Sequence, residues 1–106
     1  MWTRFMDMHS GGDQKLAWDY IYIEAPKQEA ISVFELLFGR NPNNVTCNCC
    51  GDDYSITEDE TLEQATEYNR KPYHSEEISL SEYMKDPTVC FVTQDRQLQI
   101  GGPDAV

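Results

Sequence analysis

The chain has 106 residues, 40% of them hydrophobic and 11% aromatic, with 19 acidic against 8 basic side chains and a formal net charge of -11. That length predicts one domain with a modest core, and the apolar content argues against a disordered polymer. The charge argues against direct nucleic-acid binding, which needs Lys and Arg to release counterions from a phosphate backbone. It favours basic surfaces on other macromolecules, with solubility as the plainer use of the same acidity.

No apolar run approaches the roughly 18 residues needed to span a bilayer. The opening MWTRFMDMHSGG lacks the cationic-then-apolar layout of a secretion signal. The expected location is therefore the cytoplasm. In a reducing compartment, clustered cysteines serve more often as metal ligands or reactive thiols than as disulfides, and the neighbours Cys49 and Cys50 could bond only with strain.

In chain order, residues 2–8 alternate Trp2, Arg4 and Met6 with Thr3, Phe5 and Asp7, which predicts a first strand closed by the turn signal Ser10-Gly11-Gly12. The aromatic and β-branched run WDYIYIEA at 18–25 predicts a second, with Trp18, Tyr20, Tyr22 and Glu24 on one side and Asp19, Ile21 and Ile23 on the other. The two could form a wide hairpin. After Pro26, a good helix starter, Ala30, Val33, Phe34, Leu37 and Phe38 repeat at helical spacing with Ile31 beside them. This predicts an amphipathic helix over 27–38 that stops at Gly39, with Pro42 preventing its resumption.

DYSI at 53–56 reads as a short strand. Thr57-x-x-Glu60 and Thr61-x-x-Gln64 both offer capping boxes for a short helix reaching about residue 69, with Leu62, Ala65 and Tyr68 expected inward. RKPYHSEE reads as loop, and Ser79-x-x-Glu82 caps a brief helical turn ending at Asp86-Pro87. TVCFV at 88–92 predicts a buried strand and RQLQI a partner for it. A single domain thus covers residues 1–100, with a loose tail at 101–106. The expected fold is α+β: a small antiparallel sheet packed against the helix at 27–38.

Three of the four cysteines fall in VTCNCCGDDYS at 45–55. Cys47-Asn48-Cys49-Cys50-Gly51 contains C-x-x-C-G, a spacing that turns two thiolates toward one tetrahedral ion while the glycine permits the tight turn. A second C-x-x-C is missing, so further ligands must come from His9, His74, Cys49 or Cys90. Cys90 sits in an apolar strand pattern, where a free cysteine is usually a small core residue. His74 lies in a polar loop beside Tyr73. His9, at the end of the first strand, could deliver an imidazole to a neighbouring turn. The preferred set is Cys47, Cys49, Cys50 and His9 around a structural zinc, closed and so not catalytic, although Cys49 needs an unusual backbone to share the ion.

A nucleophilic thiol, for instance Cys49, is the rival reading. Residues 41–69 hold seven carboxylates and no Lys or Arg, and such a field raises a thiol pKa instead of lowering it. No pair of carboxylates stands out for hydrolytic chemistry, so no enzymatic activity is expected. The seven carboxylates, Asp52, Asp53, Glu58, Asp59, Glu60, Glu63 and Glu67, could instead meet a basic groove that normally holds a phosphate backbone.

RFMDMHSGG at 4–12, and the run from YIYIEAP to FGRNPNNVTCNCCGDDYSI within 20–56, resemble a group of small proteins encoded by tailed bacteriophages and prophages. The resemblance implies an accessory protein made in an infected or lysogenic bacterium, and it draws His9 and the cysteine cluster into one site. Small acidic phage proteins of this kind resemble inhibitors of host machinery, including anti-CRISPR proteins that block Cas effectors. The function expected is therefore inhibition of a host nucleic-acid-handling protein; a virion-assembly component is the alternative.

Overall fold

A computed structural model of the chain describes residues 1–8, 16, 18–43, 54–71, 76–96 and 98–100. Among these the strands are β1 (Trp2–Asp7), β2 (Tyr20–Ile23), β3 (Tyr54–Asp59), β4 (Val89–Val92) and β5 (Leu98–Ile100), and the helices α1 (Lys27–Phe38), α2 (Leu62–Arg70) and α3 (Leu80–Tyr83). The strands form one sheet in the order β3-β1-β2-β4-β5. The expected α+β class holds. The expected antiparallel sheet does not: β1 pairs antiparallel with both β2 and β3, and β4 with β5, but β2 and β4 run parallel, from Tyr20↔Val89 to Ile23↔Val92. Turn chemistry governs only strands joined by short loops. The path from β2 to β4 passes through α1, β3, α2 and α3, so no local signal sets its direction.

A second correction concerns coverage. One helix was expected on the sheet; instead both faces are covered. Alternation along each strand divides the side chains. On one face Phe5, Ile21, Ile23, Cys90 and Val92 pack with Ala30, Val33 and Phe34 of α1. Phe34 is the hub there, with ring centroids 4.8 Å from Phe5, 4.9 Å from Phe38 and 5.0 Å from Tyr54. On the other face Tyr22, Val89 and Phe91 pack with Ala65 of α2 and Tyr83 of α3. β4 is buried at all four positions because it is covered from both sides, as its unbroken apolar run suggests.

The helix at 27–38 has the predicted bounds. Gly39 ends it in the left-handed conformation, φ 68°, where a Cβ would be strained. Pro26 stands just outside the helix and supplies no side-chain cap. The cap comes from β3 instead: Glu58 Oε2 accepts the Lys27 backbone N–H at 2.6 Å, placing a carboxylate on an otherwise orphaned donor at the positive end of the helix. Leu37 lies partly outside the expected apolar stripe, at 38% exposure.

The second capping box, at Thr61, is the one used: the Gln64 N–H donates to Thr61 Oγ1 and the Thr61 N–H to Gln64 Oε1, both at 3.2 Å. Thr57 is spent in β3, which runs three residues further than DYSI suggested. α2 buries Ala65 and Thr66, whereas Tyr68, expected inward, is 80% exposed. Ser79 caps α3, accepting the Glu82 N–H at 3.2 Å.

Candidate functional site

Of the seven carboxylates expected to form a contact face, five lie among the described residues, on more than one face of the fold. Asp52 and Asp53 lie outside the described residues. Glu58 shares a face of the sheet with Thr3 and is engaged by α1. Asp59, one residue on, points to the opposite face with Trp2 and Arg4. Glu60 lies in the turn between β3 and α2, and Glu63 and Glu67 stand one helical turn apart on α2. A groove of about 540 Å³ brings Asp59, Glu60 and Glu67 together beside Met1 and Glu58. Among the described residues the ion pairs are Arg70 with Glu77 and Arg96 with Glu29, both at 3.2 Å, so no carboxylate of this corner is ion-paired within that set.

The adjoining cleft, which shares Asp59 and Glu67, has a different character. It measures about 850 Å³ and lies between α2 and the face of the sheet bearing Arg4. Its floor follows β1 and its partners: Asp59 at one end, Arg4 opposite Thr57 in the middle, Met6 opposite Tyr20 at the other end. Ala65, Tyr68 and Lys71 form the helical wall. Arg4 Nη2 donates to Thr57 Oγ1 at 3.4 Å, and Arg4 Nε is buried without a partner among the described residues. Burial pushes the Tyr20 phenol above its ordinary pKa, with the Arg4 guanidinium acting in the opposite direction and Tyr68 adding to the rise.

α2 is held over this cleft by two polar clusters. Tyr22 Oη accepts from Asn69 Nδ2 at 2.7 Å and shares a hydrogen bond of 2.9 Å with Tyr83 Oη, linking β2, α2 and α3. Arg70 donates to Thr66 Oγ1, the Glu63 and Ile78 carbonyls and the Glu77 carboxylate, pinning the end of α2 to the following segment. Nothing in the sequence pattern singles out Arg4, Tyr20 or Lys71. A charged residue alternating inward on a strand is the one available signal, and it is weak.

The expected zinc ligands His9, Cys47, Cys49 and Cys50, and the alternative His74, lie outside the described residues. Among the described residues no three His, Cys, Asp or Glu side chains are grouped to hold a metal. Cys90 is fully buried in β4, as the core reading expects, and burial pushes its thiol up to about 12, which leaves it protonated and unreactive at neutral pH. No described helix is long and apolar enough to cross a membrane. Comparison with protein-family models, with curated proteins and with solved structures finds no match.

Proposed function

We propose that the chain is an acidic binding protein whose corner at the β3–α2 junction occupies a basic surface of a nucleic-acid-handling protein. The observation that supports this is the gathering of Asp59, Glu60 and Glu67 around one groove, with Glu63 a turn away and no ion pair to any of the four among the described residues. Like charges around one groove repel one another, and an opposing positive surface relieves the repulsion. The resemblance to small phage proteins makes a Cas effector the concrete partner, met in the cytoplasm of the infected cell.

The test is a charge reversal that leaves the fold intact. Glu60→Lys, Glu63→Lys and Glu67→Lys together spare Glu58, whose carboxylate caps α1. Binding to a purified Cas effector and inhibition of its DNA capture are expected in the parent and lost in the triple variant. Undiminished inhibition by the variant removes the reading. Light scattering that shows self-association, with no effect on the effector, favours an assembly component instead.

The same reading includes a structural zinc held by His9, Cys47, Cys49 and Cys50. The C-x-x-C-G spacing supports it, and so does the sheet: Asp7, two residues before His9, pairs with Tyr54, four residues after Cys50. Both segments therefore leave the same corner. Elemental analysis is expected to find one zinc per chain, and chelation to lower the melting temperature by on the order of 10 °C or more. A metal-free protein whose melting ignores chelator overturns it.

A further inference from the structure

We infer that the cleft between α2 and the sheet is a binding site for a small organic acid carrying one carboxylate and an apolar or aromatic body. Its anchor is Arg4. Like most described cations it has no ion pair among the described residues, but it is half-buried and lies in the middle of the cleft floor. Among the described residues its guanidinium makes a long contact to a threonine hydroxyl, and its Nε is buried without a partner. A partly buried cation left uncompensated is unfavourable, and an anion delivered to it removes that cost.

The surroundings narrow the ligand. Lys71 adds a second cation on the helical wall, while Met6, Tyr20, Ala65 and Tyr68 supply apolar and aromatic surface. A volume of about 850 Å³ lies within the range of about 300–1,000 Å³ typical of small-molecule sites. Asp59 and Glu67 close the far end and disfavour a doubly charged phosphate. The planar guanidinium matches a carboxylate, and the exposed ring of Tyr68 offers a face for an aromatic body. The cleft shares Asp59 and Glu67 with the acidic corner, but Arg4, Tyr68 and Lys71 line the cleft alone, so variants at those positions test it separately.

The probes are phenylacetate, its neutral isostere phenylacetamide and the dianion phenyl phosphate, titrated into isotopically labelled protein and followed by amide resonances. Saturable shifts centred on Arg4, Thr57, Ala65 and Tyr68 are expected with phenylacetate, with affinity about tenfold weaker for the amide and weaker also for the phosphate. Arg4→Met should abolish the shifts while the melting temperature holds or rises, since a half-buried cation without an ion pair among the described residues has gone. A purely structural arginine predicts the reverse, a lower melting temperature with the phenylacetate response intact. Should Arg4→Met fail to fold, Lys71→Gln on the rim tests the same charge, with a severalfold loss of affinity expected. Equal responses to acid and amide, shifts scattered over the surface, or unchanged affinity in Lys71→Gln each overturn the assignment.

Discussion

Tyr22 does two jobs with one side chain. Its ring stacks on Phe91, with centroids 5.3 Å apart and planes 14° from parallel, and meets Tyr83 edge-on at 6.1 Å. Its hydroxyl is the shared partner of Asn69 and Tyr83, and burial drives its pKa upward against the opposing pull of those two hydrogen bonds. Removing the hub should therefore cost more than removing an end. Tyr22→Phe strands both Asn69 Nδ2 and the Tyr83 hydroxyl beneath α2, at about 1–3 kcal/mol, whereas Tyr83→Phe leaves the Asn69 bond in place and should cost about 1 kcal/mol. Urea unfolding of the two variants measures the order. Equal costs would mean that the hydroxyls reach water and that apolar packing, through Ala65 of α2 and the Tyr83 ring of α3, ties these helices to the sheet.

At the scale of elements, the connection between β3 and α1 is the least expected feature. Pro26 offers no side-chain oxygen, so the first turn of α1 depends on a carboxylate borrowed from Glu58. Glu58→Ala is expected to destabilise the fold by about 0.5–2 kcal/mol, the usual worth of a lost cap, while Glu60→Ala two residues away should fall within about 0.5 kcal/mol of the parent. Thermal melts of the pair decide whether Glu58 belongs to the fold or to a contact face. The contrast also marks how far the sequence could be read. The bounds of α1, the capping box at Thr61, the Ser79 cap and the division of β2 into Tyr20/Tyr22 and Ile21/Ile23 faces all rest on neighbouring residues, and they are legible. The Glu58 cap spans 31 positions, and the parallel pairing of β2 with β4 spans more, so neither leaves a periodic trace. Tyr68 misleads for a related reason. Helical spacing assigns it inward beside Leu62 and Ala65, but α2 is anchored through Thr66, Asn69 and Arg70, polar residues that a hydrophobic pattern passes over. The Arg4 cleft is illegible in the same way, since it needs three strands and a helix at once.

For the molecule as a whole, the net charge of -11 enters stability and, on the proposed reading, recognition, with opposite dependence on salt. The Cα radius of gyration is 13.4 Å. At about 0.01 M ionic strength the screening length is roughly 30 Å, so every carboxylate feels the others across the whole fold; at about 0.15 M it falls to roughly 8 Å and the repulsion becomes local. Unfolding separates the charges, which makes the expanded chain the relative beneficiary of low salt. Raising sodium chloride from about 10 to 150 mM should therefore increase the melting temperature of the free protein by a few degrees, in keeping with a gain of about 0.5–1 kcal/mol. A complex formed through the acidic corner should weaken over the same range, because the salt that screens the repulsion also screens the attraction to a basic partner. Acidity used only for solubility predicts the first trend without the second. Calorimetry of the free chain and of its mixture with the effector at the two salt concentrations separates the cases: a partner affinity indifferent to salt would take the carboxylates at Asp59, Glu60, Glu63 and Glu67 out of the interface.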